Sequence, residues 1–510
     1  MYQTPRLSAS LRDLPARSAV AIQSMRIPDR LDPLPALPPA FAAVESLLER
    51  MTIRQPSGSP GLLAKGQFGD AVNVELGKLQ LDKEKLISAL FRDYSFLTSA
   101  YLLEPVDLAF RATGKYVPGR PVLPRELSKP MALLANKLGQ FPYMEYASSY
   151  ALQNWARRDL SKGIIFENLR LIRAFEDAEG SEKGFILVHV DMVAHSGKLV
   201  SAAEDALTAA ASKARDSFND ALERLYEAYK TINFSMETMW GRSKPADYLK
   251  FRSFIFGTAP KEGNPMFPDG VVYAGVGDEK PTYFRGESGA NDSMIPLGDN
   301  LLEITAKLPD NELTKVLRDF RQYRPPNQRS YIASVEMRAT RAHVKEFAFT
   351  DPRSLALYIL NVDQIREFRD RHWRFTKEYI IRRSSYGVAT GGSPILRYLP
   401  QNLSTVVAVL DEACNALPAA PALLMQGVDS QLIGLVEGCR ARSTMQKRVI
   451  EREMEVWQIV EEQKRAELFA QRVRGNGGDG ESVAALPRKE IDMGEAKGLQ
   501  RGSVGSDRGG

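Results

Sequence analysis

Apolar side chains recur at steps of three and four along most of this chain, a spacing that gathers them on one face of a helix. Between about residues 66 and 139 the repeat is carried by positions such as Leu86, Leu90, Tyr94 and Leu97. Val117-Pro118-Gly119-Arg120-Pro121 predicts a turn between two of these helices. A second helical hairpin leads to Trp155 and a polar segment over 157–163. From Ile164 the pattern lengthens, and 201–232, rich in Ala, Glu, Leu and Lys without Pro or Gly, predicts one long helix. Residues 258–296 break the pattern. Gly, Pro and Asp are dense there, with one short β-like piece at Val271-Val272-Tyr273, and an ordered loop of that length is usually functional. Helix resumes at Asn300, pauses at Arg324-Pro325-Pro326 and returns over 354–383, before a glycine loop over 387–393 and further helix. Residues 440–473 are highly charged, with Met445, Val449, Val456 and Val460 at helical spacing, which predicts an amphipathic helix packed on the body or on a partner.

The ends read differently. Nine of the 30 prolines fall in residues 1–60, an extended lead-in. The last 37 residues hold ten glycines and almost no large apolar side chain, so disorder is expected there. The reading is an all-α protein in two parts: an irregular lead-in 1–62, a small helical domain 63–163, a larger helical domain 164–415, a helical extension 416–473 and a tail 474–510. The 510 residues exceed what one hydrophobic core usually serves, which supports two domains.

Charge narrows the partners. A net charge of +5 over 68 basic and 63 acidic residues is a mixed surface, and no stretch interleaves basic and aromatic residues as single-strand binding requires. Nucleic acid is therefore not expected. No apolar run approaches the ~18 residues that span a bilayer, so no membrane is expected either. Two cysteines, Cys414 and Cys439, exclude a disulfide framework and CxxC metal sites. Arg6, Arg12, Arg17 and Arg26 faintly suggest a transit segment, but Asp13 and Asp29 weaken it, and the expected location is the cytoplasm.

Imidazole chemistry has four candidates: His189, His195, His343 and His372. Ile365, Phe368, His372, Phe375 and Tyr379 share one helix face. A histidine in such an aromatic stripe is either a core residue satisfied by one hydrogen bond or a neutral ligand for a haem iron. His189 shares a face with Phe185 and Met192, and is either satisfied in the core or open to a pocket. His195 and His343 have polar neighbours and read as surface residues. Tyr248, Phe251, Arg252 and Ile255 fall on one face of a helix framed by Pro245 and Gly257. A buried arginine there needs an anion, which a structural acid or a ligand carboxylate would provide. No HExxH, GxGxxG or GxxxxGK[ST] pattern occurs, which disfavours zinc and nucleotide chemistry.

Taken in order, several segments make the chain resemble the indoleamine 2,3-dioxygenase family. They include Leu123-Pro124-Arg125, Leu138-Gly139, Pro142, Tyr146-Ala147, Asn154-Trp155 and Lys183-Gly184-Phe185. Arg252 with Gly257, Gly263-Asn264-Pro265 and Asp269-Gly270-Val271-Val272-Tyr273 come next, then Phe284, Gly286 and Ser288. Asp299 with Leu301 and Leu302, Tyr323 with Pro325-Pro326, Arg369-x-x-His372, Lys377-x-Tyr379-Ile380 and Thr390-Gly391-Gly392 complete a match over about residues 70–410. The resemblance implies a two-domain helical fold and one haem b with a single iron. It also implies insertion of O2 across the indole C2–C3 bond of L-tryptophan, or a related indole, to give N-formylkynurenine, with an electron donor keeping the iron ferrous. It assigns His372 to the iron and Arg369 to a haem propionate. Arg252 would take the substrate carboxylate, while Tyr146, Ser149, Phe185, Ser288 and Gly289 would line the pocket and Thr390 would sit on a closing loop. Asp299 matches an acidic residue beside the haem pocket.

The chain departs from the well-known mammalian members at two places. His189 replaces a serine and is similar to the distal histidine of tryptophan 2,3-dioxygenases, which faces the indole N–H. Asp247 replaces a phenylalanine, so either it turns away from a bound carboxylate or substrate choice has changed; Tyr150 would narrow the pocket. The rival readings are a haem protein of this fold that acts on another indole or only binds O2, and a non-catalytic helical scaffold.

Overall fold

The helical repeat becomes a series whose main members are α1 (Ala42–Met51), α2 (Glu84–Thr113), α3 (Arg125–Leu138), α4 (Ser181–Ala194), α5 (Ser196–Ala211), α6 (Arg215–Glu237), α7 (Leu249–Arg252), α8 (Met294–Leu301), α9 (Pro326–Ala342), α10 (Pro352–Thr376), α11 (Ile395–Ala416) and α12 (Ser430–Gly475), joined by shorter helical turns. The computed structural model describes residues 32–76, 84–259, 264–307, 312–384, 390 and 395–475. The expected glycine loop, apart from Thr390, and the tail from residue 476 lie outside the described residues. Residues 1–454 make one compact unit and residues 455–510 a second, which begins within α12.

The fold class is all-α, with two small sheets inserted. Val122–Leu123 (β1) runs parallel to Val271–Tyr273 (β4), which pairs antiparallel with Pro281–Thr282 (β5), and Trp155–Arg157 (β2) pairs antiparallel with Leu169–Leu171 (β3). Of these only β4 is legible in the sequence. The others are two or three residues long, too short to show an alternation.

Two helical expectations are corrected. The single helix over 201–232 is two, α5 and α6, which pack along each other. The chain reverses at Ser212-Lys213-Ala214, where Lys213 adopts φ 57° and the Ser212 hydroxyl donates to the Thr208 carbonyl at 2.9 Å. A left-handed lysine costs roughly 1–2 kcal/mol, which the apolar faces buried between the two helices offset. The second correction is in the lead-in, where α1 buries Val44, Leu47, Leu48 and Met51. That spacing is helical, but flanking prolines hide it. Pro105, inside α2, cannot donate to the carbonyl of Tyr101. The Arg120 guanidinium does so instead, and also pairs with Glu104 at 2.6 Å.

One core of buried apolar side chains runs from Leu37 to Cys439. Through it passes α10, 25 residues long, started by Asp351, whose carboxylate accepts the Ser354 N–H at 2.8 Å, and by Pro352 in the first turn. Buried polar bonds fix its rotation. Asn361 Nδ2 donates to Leu222 O at 2.9 Å, Asn233 Nδ2 to Gln364 O at 3.0 Å, and Arg371 Nη1 to Asn233 Oδ1 at 2.6 Å. All three fasten α10 to α6. A different stripe meets α12: Arg442 pairs with Asp363 at 2.7 Å, and Trp373 Nε1 donates to Glu453 at 2.6 Å. The stripe holding Phe368, His372, Phe375 and Tyr379 is thereby left to face an interior space. Cys414 and Cys439 are both buried free thiols. His343 is exposed as expected, whereas His195, at the junction of α4 and α5, is half-buried.

Candidate active site

That space is a cavity of about 580 Å³ between α4, α6, α8, α10 and the 287–289 segment. His372 stands on its wall. Among the described residues no hydrogen bond reaches its imidazole, and burial, with smaller contributions from His189 and Arg369, pushes its pKa down to about 4. Such a ring is neutral at physiological pH and keeps a lone pair for a metal.

His189 lies on the wall contributed by α4. Its Nδ1 is 2.9 Å from the Phe185 carbonyl. A carbonyl only accepts, so Nδ1 carries the proton and Nε2 of the neutral ring is an acceptor. Burial, against the bond to Phe185, lowers its pKa, which favours that neutral form. Nε2 lies beside Gly289, where an added Cβ would come within 3.4 Å of it. The Gly184 that leads α4 permits close packing, since a Cβ there would meet the Arg242 carbonyl at 1.7 Å.

Phe185, Ser288, Gly289, Thr390 and Arg369 join the two histidines on the wall. Thr390 is held by its hydroxyl, which donates to the Glu287 carbonyl at 2.7 Å, while its own carbonyl accepts the Gly257 N–H at 3.1 Å. A side chain at Gly286 would strike both neighbouring strands of chain: its Cβ would lie 2.4 Å from Gly257 N and from Thr390 O. Three expected residues stand behind the wall. Tyr146 packs edge-on to His189 with ring centroids 5.6 Å apart and reaches Asp292 at 3.5 Å. Ser149 closes its own turn, donating to the Glu145 carbonyl at 2.7 Å. Arg252 is fully buried, with its guanidinium 5.0 Å from the Phe256 ring, close to Tyr116 and behind Tyr248.

Asp247 turns away. Its carboxylate accepts from Ser181 at 2.7 Å and pairs with Lys250 at 2.7 Å; against its partial burial, these hold its pKa below the usual range. Tyr150, likewise, is off the cavity, its hydroxyl 3.4 Å from Glu182. Sequence reasoning missed Glu287 and Asp292, two acids on the wall. Their signal was there, acids in the glycine-rich 258–296 segment, but nothing in a loop's spacing tells which way a side chain points.

The sequence model for indoleamine 2,3-dioxygenase matches residues 27–395. This chain belongs to the indoleamine 2,3-dioxygenase family. Indoleamine 2,3-dioxygenase 1 of Rattus norvegicus is 29% identical over 275 residues, 52% of this chain and 64% of the rat protein, so the chain spans just under two thirds of that relative. Indoleamine 2,3-dioxygenase 2 of Mus musculus is 27% identical over 301 residues, 55% and 71% of the two chains. Indoleamine 2,3-dioxygenase nanC of Aspergillus nanangensis is 22% identical over 347 residues, 64% and 81%. The family is haem-dependent, and the cavity fits that group. His372 offers a neutral ring that, among the described residues, has no hydrogen bond. One turn before it, Arg369 gives Nη2 to Asp299 at 2.6 Å, while its buried Nη1 has no hydrogen-bond partner among the described residues. An orphaned cationic donor at the cavity suits an acidic haem substituent.

Proposed function

We propose that this chain is a haem-dependent dioxygenase that inserts O2 across the indole C2–C3 bond of tryptophan to give N-formylkynurenine. The observation that carries the reading is the pair of histidines lining one cavity, from two different helices, in a chain of this family, one of them neutral and, among the described residues, without a hydrogen bond. Haem held on His372 would supply the oxygen-activating iron. The remaining work falls to the protein. Arg369 would hold a propionate. Phe185, Phe368 and Phe375 would keep the cavity dry, and His189 Nε2, as an acceptor, would take the indole N–H. Ser288 and Gly289 would border the substrate and Thr390 would close over it, with Tyr146 and Ser149 supporting that wall. Arg252, one layer back, would draw the substrate carboxylate past Tyr248. In this reading residues 63–163 form a small domain that closes the distal side, and 164–415 bind the haem. The protein would act in the cytoplasm with an electron donor that keeps the iron ferrous.

Purification tests this directly. A red protein with a Soret band that converts tryptophan to N-formylkynurenine under a reductant is expected. A colourless protein removes the haem reading, and a red one that forms no product removes the dioxygenase in favour of an oxygen carrier.

A further inference from the structure

Glu287 is a carboxyl group without an assigned task. Its residue is 3% exposed and lies on the cavity wall, next to Ser288 and Gly289. Among the described residues no hydrogen bond or ion pair reaches its carboxyl oxygens; the charged group that acts on it most is another acid, Glu145. A buried acid usually has a donor or a cation, because leaving it unsatisfied is costly. Here the described residues provide neither, and its backbone carbonyl accepts from Thr390. The open side is the cavity. Asp292 also lines the cavity, but its carboxylate accepts the Met294 N–H at 2.8 Å and lies in the field of Arg324, so Glu287 is the acid that a cation in the cavity would meet.

Tyr248 ties Glu287 to the rest of the site. Its phenol senses both Arg252 and Glu287, with burial the larger influence on its pKa. A positive charge behind Tyr248 and an acid beside it make a frame for a zwitterion: carboxylate toward Arg252, ammonium toward Glu287. We propose that Glu287 recognises the amino group of the indole ligand, and that it therefore determines the preference of the pocket for amines over uncharged or anionic indoles. The proposal builds on the indole-binding reading above.

Burial, with repulsion from Glu145, raises Glu287 to about 8, so at neutral pH the empty pocket holds it protonated. An arriving ammonium ionises it and one proton leaves. The groups that act on it or feel it are Glu145, Tyr146, Tyr150 and Tyr248, and Asp292 and His189 line the same cavity. Burial raises the three tyrosines above 10, holds Asp292 at about 6 and lowers His189. Glu145, about 7, is bonded to the Ala147 and Ser148 N–H groups and not to the cavity.

The test compares three ligands on the purified holoprotein and its Glu287→Gln variant: L-tryptophan, tryptamine and indole-3-propionate. Binding is read from the Soret shift and from ligand-induced melting shifts, and tryptophan cleavage is read separately. The variant should bind tryptophan and tryptamine at least tenfold more weakly and indole-3-propionate unchanged. Equal losses for all three ligands, or none, would overturn the proposal. Should the variant fold poorly, the wild type serves: its tryptamine affinity should rise about tenfold from pH 7 to pH 9 as Glu287 ionises, with indole-3-propionate not rising, and a flat tryptamine profile overturns it. Failure of the dioxygenase reading is distinguishable. A wild type that cleaves no tryptophan defeats that reading, while the melting shift with tryptamine, present in wild type and lost in Glu287→Gln, still supports the amine site, and its absence defeats it.

Discussion

At the scale of single residues, what matters is the protonation state that burial imposes. His372 is driven down to about 4 by its surroundings, so its ring is neutral over the whole physiological range and needs no deprotonation to bind iron. His372→Ala should abolish stable haem binding with helical content nearly intact, read as Soret absorbance per protein and far-ultraviolet circular dichroism. A variant that purifies with full haem and activity would remove His372 from the iron. Arg252 is the second residue-scale case. Arg252→Leu should preserve haem and raise the KM for tryptophan, since losing a desolvated charge partner costs about 2–5 kcal/mol, tens to thousands in kcat/KM. Its burial beside Tyr116 and Phe256 supplies the contrary outcome. A less stable protein with unchanged KM would make it a core residue only.

Elements decide how the residues are presented. The stripe on α10 was legible because a long uninterrupted helix displays its period in full. Its rotation was not, being set by Gln364, Arg371 and Asp363 bonding to partners on α6 and α12. Besides Arg442, Glu453 of the C-terminal extension holds this helix directly, accepting from Trp373 Nε1 at 2.6 Å and from Lys377 at 2.7 Å, with the Lys377 ammonium 5.3 Å from the Trp373 ring centroid. Trp373 is adjacent to His372, so the extension braces the helix that carries His372. Glu453→Ala should lower the melting temperature, because a buried indole N–H loses its acceptor, about 1–3 kcal/mol. Combined with Trp373→Phe the two losses should be less than additive, with a coupling of about 0.5–3 kcal/mol. Strict additivity in thermal or urea unfolding would show that the contact does not brace the helix.

At the scale of the whole molecule, buried acids of two kinds set the pH range of stability. Burial raises Glu182 and Glu287 to about 8 and Glu145 to about 7. Their neutral forms favour the fold, so that contribution is complete below the ordinary glutamate value and is lost as pH climbs through 7 to 8. Asp93 behaves oppositely: against its own burial, Arg92 and Arg173 hold it below the usual range, and Arg366 and Arg442 do the same for Asp363. Their contribution is present above the ordinary aspartate value and is lost as pH falls through the lowered pKa. Melting temperature should therefore peak near about pH 5 and decline toward pH 9, with Glu287→Gln flattening the alkaline decline. A melting temperature that rises steadily from pH 5 to pH 9 would contradict this.

The sequence by itself determined the helical class, the stripe that carries His372, the face shared by Phe185 and His189, and the irregular segment that became a cavity wall. These are local properties. Hydrophobic period records which side of an element is buried, and chain order records which elements exist. Only the tertiary structure decided that 201–232 folds back at Lys213, that Asp247 turns to Lys250, that Arg252 sits one layer behind Tyr248, and that Glu287 opens on the cavity. Each of these depends on what stands across a space from the residue, and that partner comes from a distant part of the chain. Period and spacing carry no information about it until the helices pack.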